Sequence, residues 1–139
     1  MGRSFRIPVC PYCGGDSILV PDSQVYARSY GSFVYLCEPC RAWVGVHRGT
    51  DPPRPLGRLA NTELRALKIQ AHAQFDRLWL AAARLRHWSK GKSRRLGYTW
   101  LATEMGVDRK KCHIGYFDVE QTKRVIEICE AVGKRKVAA

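Results

Sequence analysis

Apolar positions follow two different rhythms along this chain, and the change falls near residue 60. Before it, Ile18-Leu19-Val20, Val25-Tyr26-Ala27, Phe33-Val34-Tyr35-Leu36 and Trp43-Val44-Gly45-Val46 are short apolar runs. The gaps hold Pro21-Asp22-Ser23 and Tyr30-Gly31-Ser32, residues that favour turns. Short runs bounded in this way predict strands joined as hairpins.

After residue 60 the apolar step lengthens to three or four. Leu64, Leu67, Ala71, Phe75, Leu78, Ala82 and Leu85 share one helical face, with Asn61 as N-cap and Glu63 complementing the dipole. Arg65, Lys68, His72, Arg77 and Arg84 lie off that face, and the helix is expected to end near Ser89-Lys90-Gly91. A second helix is predicted from a Ser93 cap to Met105, with Leu96, Trp100, Leu101 and Met105 inward and Gly106 as its stop. Asp118 and Gln121 have capping-box spacing for a third helix. Its stripe is Thr122, Val125, Ile126, Cys129 and Val132, ending at Gly133.

Four of the six cysteines form two pairs, Cys10-Pro11-Tyr12-Cys13 and Cys37-Glu38-Pro39-Cys40. Each CxxC turns two sulfurs toward one ion, and two such knuckles supply the four thiolates of a tetrahedral zinc site. Gly14-Gly15 brings the backbone freedom that the first knuckle needs. Two disulfides are the alternative, but they need an oxidising compartment, and charged Met1–Arg6 with no apolar run behind it does not read as a secretory signal. A redox CxxC belongs in a βαβ pattern, which is not visible here. The zinc is therefore expected to be structural, because four thiolates close its coordination shell. His47 is left outside that shell. Cys112 and Cys129 are spare, and the helical stripe buries Cys129.

The fold class that follows is α+β: an N-terminal four-cysteine zinc ribbon followed by a small three-helix module. The ribbon occupies 1–50, a Pro-rich linker 51–58, the basic helical module 59–133 and a frayed tail 134–139. The linker contains Pro52, Pro53 and Pro55, so it is stiff enough to pack along a surface.

Charge narrows the partner. The 139-residue chain has 24 Lys and Arg against 12 Asp and Glu, a net charge of +12, and nine of those excess charges fall between Arg58 and Lys111. A concentrated positive field attracts polyanions and supplies the salt-dependent part of nucleic-acid affinity. Lys90, Lys92, Arg94 and Arg95 form a basic strip beside His87-Trp88 and Tyr98, with Arg84 close by and Lys110 and Lys111 as a second patch. Trp88 or Tyr98 is a candidate to stack on an unpaired base.

Other motifs fail on their context. Gly91-Lys92-Ser93 resembles the end of a phosphate-binding loop, but Arg86 stands where the first glycine belongs, so no nucleotide cofactor is expected. Leu101–Val107 matches the start of a helix-turn-helix, although Gly115 comes too early for a full recognition helix, and a helical hairpin is the alternative. His47, His72, His87 and His113 are scattered, and no nucleophile elbow occurs. An enzyme is not expected. No apolar run reaches the ~18–20 residues of a membrane span.

The two knuckles, Val44-Gly45-Val46-His47-Arg48-Gly49-Thr50, Pro55-Leu56-Gly57-Arg58-Leu59-Ala60-Asn61 and Cys112-His113-Ile114-Gly115-Tyr116-Phe117-Asp118 together resemble a zinc-finger-containing family of tailed phages and prophages. Asp51-Pro52-Pro53-Arg54 lengthens the linker relative to that family. The resemblance implies zinc at Cys10, Cys13, Cys37 and Cys40 and a life in the bacterial host's cytoplasm, and it supplies no activity. The residues themselves point to a nonenzymatic protein that binds DNA or RNA through phosphate. The alternative is a protein-binding adaptor docking on host transcription or defence machinery.

Overall fold

The computed structural model describes residues 6–138, with side chains up to residue 133. It contains two compact units, residues 1–65 and 66–139.

The first unit is a three-stranded antiparallel sheet, β1 (Ile18–Pro21), β2 (Phe33–Cys37) and β3 (Ala42–Gly45), in the order β1-β2-β3. Ile18 pairs with Leu36 across one ladder, and Cys37 with Ala42 across the other. The Cys37–Ala42 pair makes the second knuckle a hairpin loop. The first knuckle is closed by the Val9–Asp16 bridge and by Cys10 N–H donating to Gly15 O at 2.8 Å. Tyr35, Val44, Leu59, Ala42, Cys10 and Cys37 fill the interior.

Val25-Tyr26-Ala27 does not form the expected strand. Asp22–Gln24 is a 3-10 turn, and the buried Asp22 carboxylate accepts hydrogen bonds from Ser29 Oγ (2.9 Å) and Tyr30 N–H (3.0 Å). That carboxylate competes with the ladder for the backbone and wins locally. Burial alone raises the Asp22 pKa, but these hydrogen bonds outweigh it and leave the group below its ordinary value.

Segment 51–58 packs along the sheet. Val46 bridges to Pro55, Leu56 N–H donates to Gly45 O at 2.9 Å, and Tyr35 OH donates to Pro53 O at 2.6 Å. A Cβ on Gly45 would lie 3.3 Å from Leu56 Cδ1, so the glycine of the Val-Gly-Val-His string makes room for the leucine of Pro-Leu-Gly. Trp43 and Ala60 then exchange backbone hydrogen bonds at 3.1 and 3.0 Å.

α1 (Thr62–Arg86) begins where expected, with Asn61 Oδ1 accepting from Leu64 N–H at 3.0 Å. Arg65, expected off the apolar face, lies over the Trp43 ring at 3.3 Å and donates to Trp43 O. The expected stripe is buried at Leu64, Ala71 and Phe75, but Leu85 is 78% exposed. α1 stops earlier than the sequence suggests. His87 takes φ +54°, and Trp88 N–H returns to Ala83 O at 3.0 Å, a Schellman-type stop.

α2 (Lys90–Met105) is capped by Ser89 and not by Ser93: Ser89 Oγ accepts from Lys92 N–H at 3.2 Å. Ser93 instead turns inward and donates to Trp79 O at 2.6 Å. Gly106 ends the helix in the left-handed conformation, as expected. Leu101 is fully buried with Ala102 and Tyr98, whereas Leu96 is 38% exposed and Trp100 and Met105 are only partly buried.

No recognition helix follows. Arg109–Lys111 is a 3-10 turn capped by Asp108, so the helix-turn-helix reading is corrected to a helix followed by a tight turn. α3 (Val119–Ala138) opens on the expected reciprocal box: Gln121 N–H donates to Asp118 Oδ1 (2.9 Å) and Asp118 N–H donates to Gln121 Oε1 (3.0 Å). Thr122, Val125, Ile126 and Cys129 are buried as expected. The helix continues through Gly133, where the sequence pattern places its end; the side chains of the expected tail, 134–139, lie outside the described residues. Among the described residues no helix is long and apolar enough to cross a membrane.

Candidate metal centre and basic surface

Two hairpin-like loops aim the sulfurs of Cys10, Cys13, Cys37 and Cys40 at one point. All four lie within 4.8 Å of one another, and Cys13 Sγ to Cys37 Sγ is 3.7 Å. A Zn–S bond of ~2.3 Å in tetrahedral geometry sets neighbouring sulfurs about 3.8 Å apart, so the spacing fits the ion. A disulfide needs about 2.05 Å, and all four cysteines are free thiols.

The loops repeat one device. The residue after the second cysteine of each knuckle is left-handed: Gly14 at φ +76° and Arg41 at φ +51°. Gly15 N–H points at Cys13 Sγ at 3.4 Å, the kind of donor that supports a thiolate. Crowding pushes the Cys40 thiol up to about 12, with the Cys13 side chain the largest cause and burial the next. The Cys10 thiol is lowered: burial opposes this, but the backbone N–H groups of Tyr12 and Cys13 outweigh it. Four thiolates this close need a cation between them, and the protein carries one structural Zn2+ at this site. No position is left open for water or substrate, so this metal holds structure together. His47 stands apart in the segment paired with Arg54, its side chain exposed.

The seven candidate phosphate-contacting residues lie in the second unit. Arg84 occupies the last turn of α1, Lys90, Lys92, Arg94 and Arg95 the first turns of α2, and Lys110 and Lys111 the 3-10 turn. All seven are exposed, and among the described residues none forms an ion pair. Tyr98 is not available to a base. It is 4% exposed and packs on Phe75 with ring centroids 4.6 Å apart. Its ring instead gathers cations, with Arg94 at 5.1 Å and Arg109 at 5.3 Å. Through Tyr98 the strip on α2 and the turn at 109–111 become neighbours. Sequence reading missed Arg109 and also Arg86, which approaches the Trp88 ring at 5.6 Å. The signal for Arg109 was present in the Asp108 cap, but its link to Tyr98 spans eleven positions of chain.

Of the spare cysteines, Cys112 and Cys129 are each 1% exposed. Burial raises both thiols, Cys129 to about 11. They serve as core residues.

A family model for a zinc-finger-containing domain matches residues 6–132. No curated protein and no solved structure matches the chain.

Proposed function

On the premise that the chain belongs to this zinc-finger-containing family, with one structural zinc in its ribbon, we propose that it is a nonenzymatic nucleic-acid-binding protein. In this reading it acts in the bacterial host cytoplasm of a phage or prophage and grips phosphates through its basic helical unit. One observation carries the proposal: Arg84, Lys90, Lys92, Arg94, Arg95, Lys110 and Lys111 are all exposed, and among the described residues none is paired with a carboxylate. Cations in the first turns of a helix oppose its dipole, a small cost that a bound phosphate reverses. The segment from 87 to 111 alone carries +5.

The test is the salt dependence of binding to random-sequence DNA and RNA, followed by fluorescence anisotropy. Five phosphate contacts predict a loss on the order of 10²–10³ in affinity between 50 and 200 mM salt. Replacing Arg94 and Arg95 with Gln is expected to flatten the log-log salt slope by roughly two units and weaken binding uniformly across sequences. No measurable affinity for either nucleic acid at 50 mM salt would end this reading and favour an adaptor that uses the same arginines on an acidic protein.

A further inference from the structure

The corner between α1 and α2 holds a feature that phosphate binding does not require. An open apolar groove of about 630 Å³ runs beside it, lined mainly by Leu78, Trp79, Ala82, Trp88, Leu96 and Trp100. Three of the four tryptophans of the chain are therefore on one groove in the second unit. Core packing accounts in part for Trp79 and Trp100, which lie against the buried cluster, but not for Trp88. Leu96 is 38% exposed, and Trp88 and Trp100 are only half-buried. A volume of this size lies in the usual range for small-ligand sites.

The mouth of the groove is preorganised by backbone. His87 in the left-handed conformation and the Trp88 N–H bond to Ala83 O fix Trp88 one residue before the Ser89 cap of α2. Two exposed cations attend its ring, Lys92 Nζ at 5.2 Å and the Arg86 guanidinium at 5.6 Å from the centroid. An apolar aromatic slot with exposed cations at its lip matches a nucleotide whose base has left the stack. The ring meets the apolar slot, and the flanking phosphates replace Trp88 as partners of Lys92 and Arg86. A duplex presents its bases stacked and paired, and cannot offer them to this slot without unpairing. An acidic amphipathic helix has the same charge sign, but here two cations converge on one ring in a short corner, which suits a single planar ring better than a row of side chains.

Resting on the nucleic-acid reading, we propose that the groove is a base-binding pocket, with Trp88 as its stacking platform, and that unpaired DNA or RNA is the ligand class. The probes are a fifteen-nucleotide oligo-dT, an oligo-rU of the same length and a mixed-sequence duplex, added to the zinc-loaded full chain (lengths roughly one binding site). Both single strands are expected to quench tryptophan fluorescence and to bind at least ten-fold more tightly than the duplex. Trp88→Ala is expected to lower single-strand affinity on the order of 10- to 100-fold, leaving duplex affinity in place. Trp88→Phe keeps most of the affinity, since a smaller ring still stacks. Ala82→Glu, placing a carboxylate on the groove wall, repeats the loss without touching the corner and guards against a Trp88 variant that fails to fold. Equal affinity for single strand and duplex, indifferent to Trp88→Ala and Ala82→Glu, overturns the pocket and leaves phosphate binding standing. Absence of binding by all three probes overturns both proposals. Binding of the apolar anion anilinonaphthalene sulfonate without binding of any oligonucleotide would likewise overturn both, leaving the groove as an accessible apolar site.

Discussion

A left-handed residue follows each zinc knuckle, but the two positions are occupied differently. Gly14 adopts φ +76° without steric cost, whereas Arg41 holds φ +51° against the clash of its own Cβ with the backbone. Gly14→Ala is therefore expected to destabilise the zinc-loaded ribbon by about 1 kcal/mol, and Arg41→Gly to stabilise it by a similar amount. Chemical denaturation followed by tyrosine and tryptophan emission reads both. Equal and negligible effects would mean that the metal, not the backbone, sets the loop conformation. The Arg41 side chain meets Glu38 at 3.9 Å, an exposed pair of little energetic weight, so its loss does not mask the gain.

Among the elements, the approach of α1 to α2 depends on a glycine. A Cβ on Gly97 would sit 3.2 Å from Trp79 Cβ and 3.3 Å from Phe75 Cζ. Neither neighbour yields easily, since Trp79 Cβ is anchored to its helix and Phe75 is 1% exposed. Alanine gains up to ~1 kcal/mol in helix propensity but meets an overpacking cost of ~1–3 kcal/mol, so Gly97→Ala should lose about 1 kcal/mol net. Gly133 is the opposite case. It lies inside α3 with nothing within 4 Å of its ideal Cβ, and Gly133→Ala should gain about 0.5–1 kcal/mol. Urea unfolding midpoints separate the two, and a stabilising Gly97→Ala would show that the helices can move apart.

At the scale of the whole molecule, each unit has its own buried cluster, one around Tyr35 and Leu59 and one around Phe75, Leu101 and Phe117. The ribbon cluster is small, and structural zinc contributes on the order of 10 kcal/mol to folding in such modules. Chelation under reducing conditions is expected to unfold the ribbon while most of the helical circular dichroism persists. Thiol titration should then count the four knuckle cysteines, and Cys112 and Cys129, each 1% exposed, should stay silent until the helical unit unfolds. Reaction of all six together on chelation would show a single cooperative unit. Acid acts in the same direction as chelator. The ligands bind zinc as thiolates, so protons compete with the metal and zinc affinity falls as pH falls.

The cysteine spacing, the Asn61 cap, the Asp118–Gln121 box, the Gly106 stop and the density of positive charge were legible in the chain because each depends on residues a few positions apart or on composition alone. The α+β class and the zinc site follow from them. Where several local options had equal standing, only tertiary partners chose between them. Ser89 and Ser93 are both good caps, and the choice falls to Ser89 because Ser93 finds Trp79 O fourteen positions away. Val25-Tyr26-Ala27 has strand propensity, but the carboxylate of Asp22 holds the following turn through Ser29 and Tyr30. Tyr98 and Trp88 read alike as exposed aromatics beside cations. Packing on Phe75 buries the first, and the left-handed His87 leaves the second at an open groove. Periodicity marks which face of a helix is apolar. Whether that face is covered depends on neighbours brought close by the fold, and at Leu85 and Leu96 that covering is incomplete.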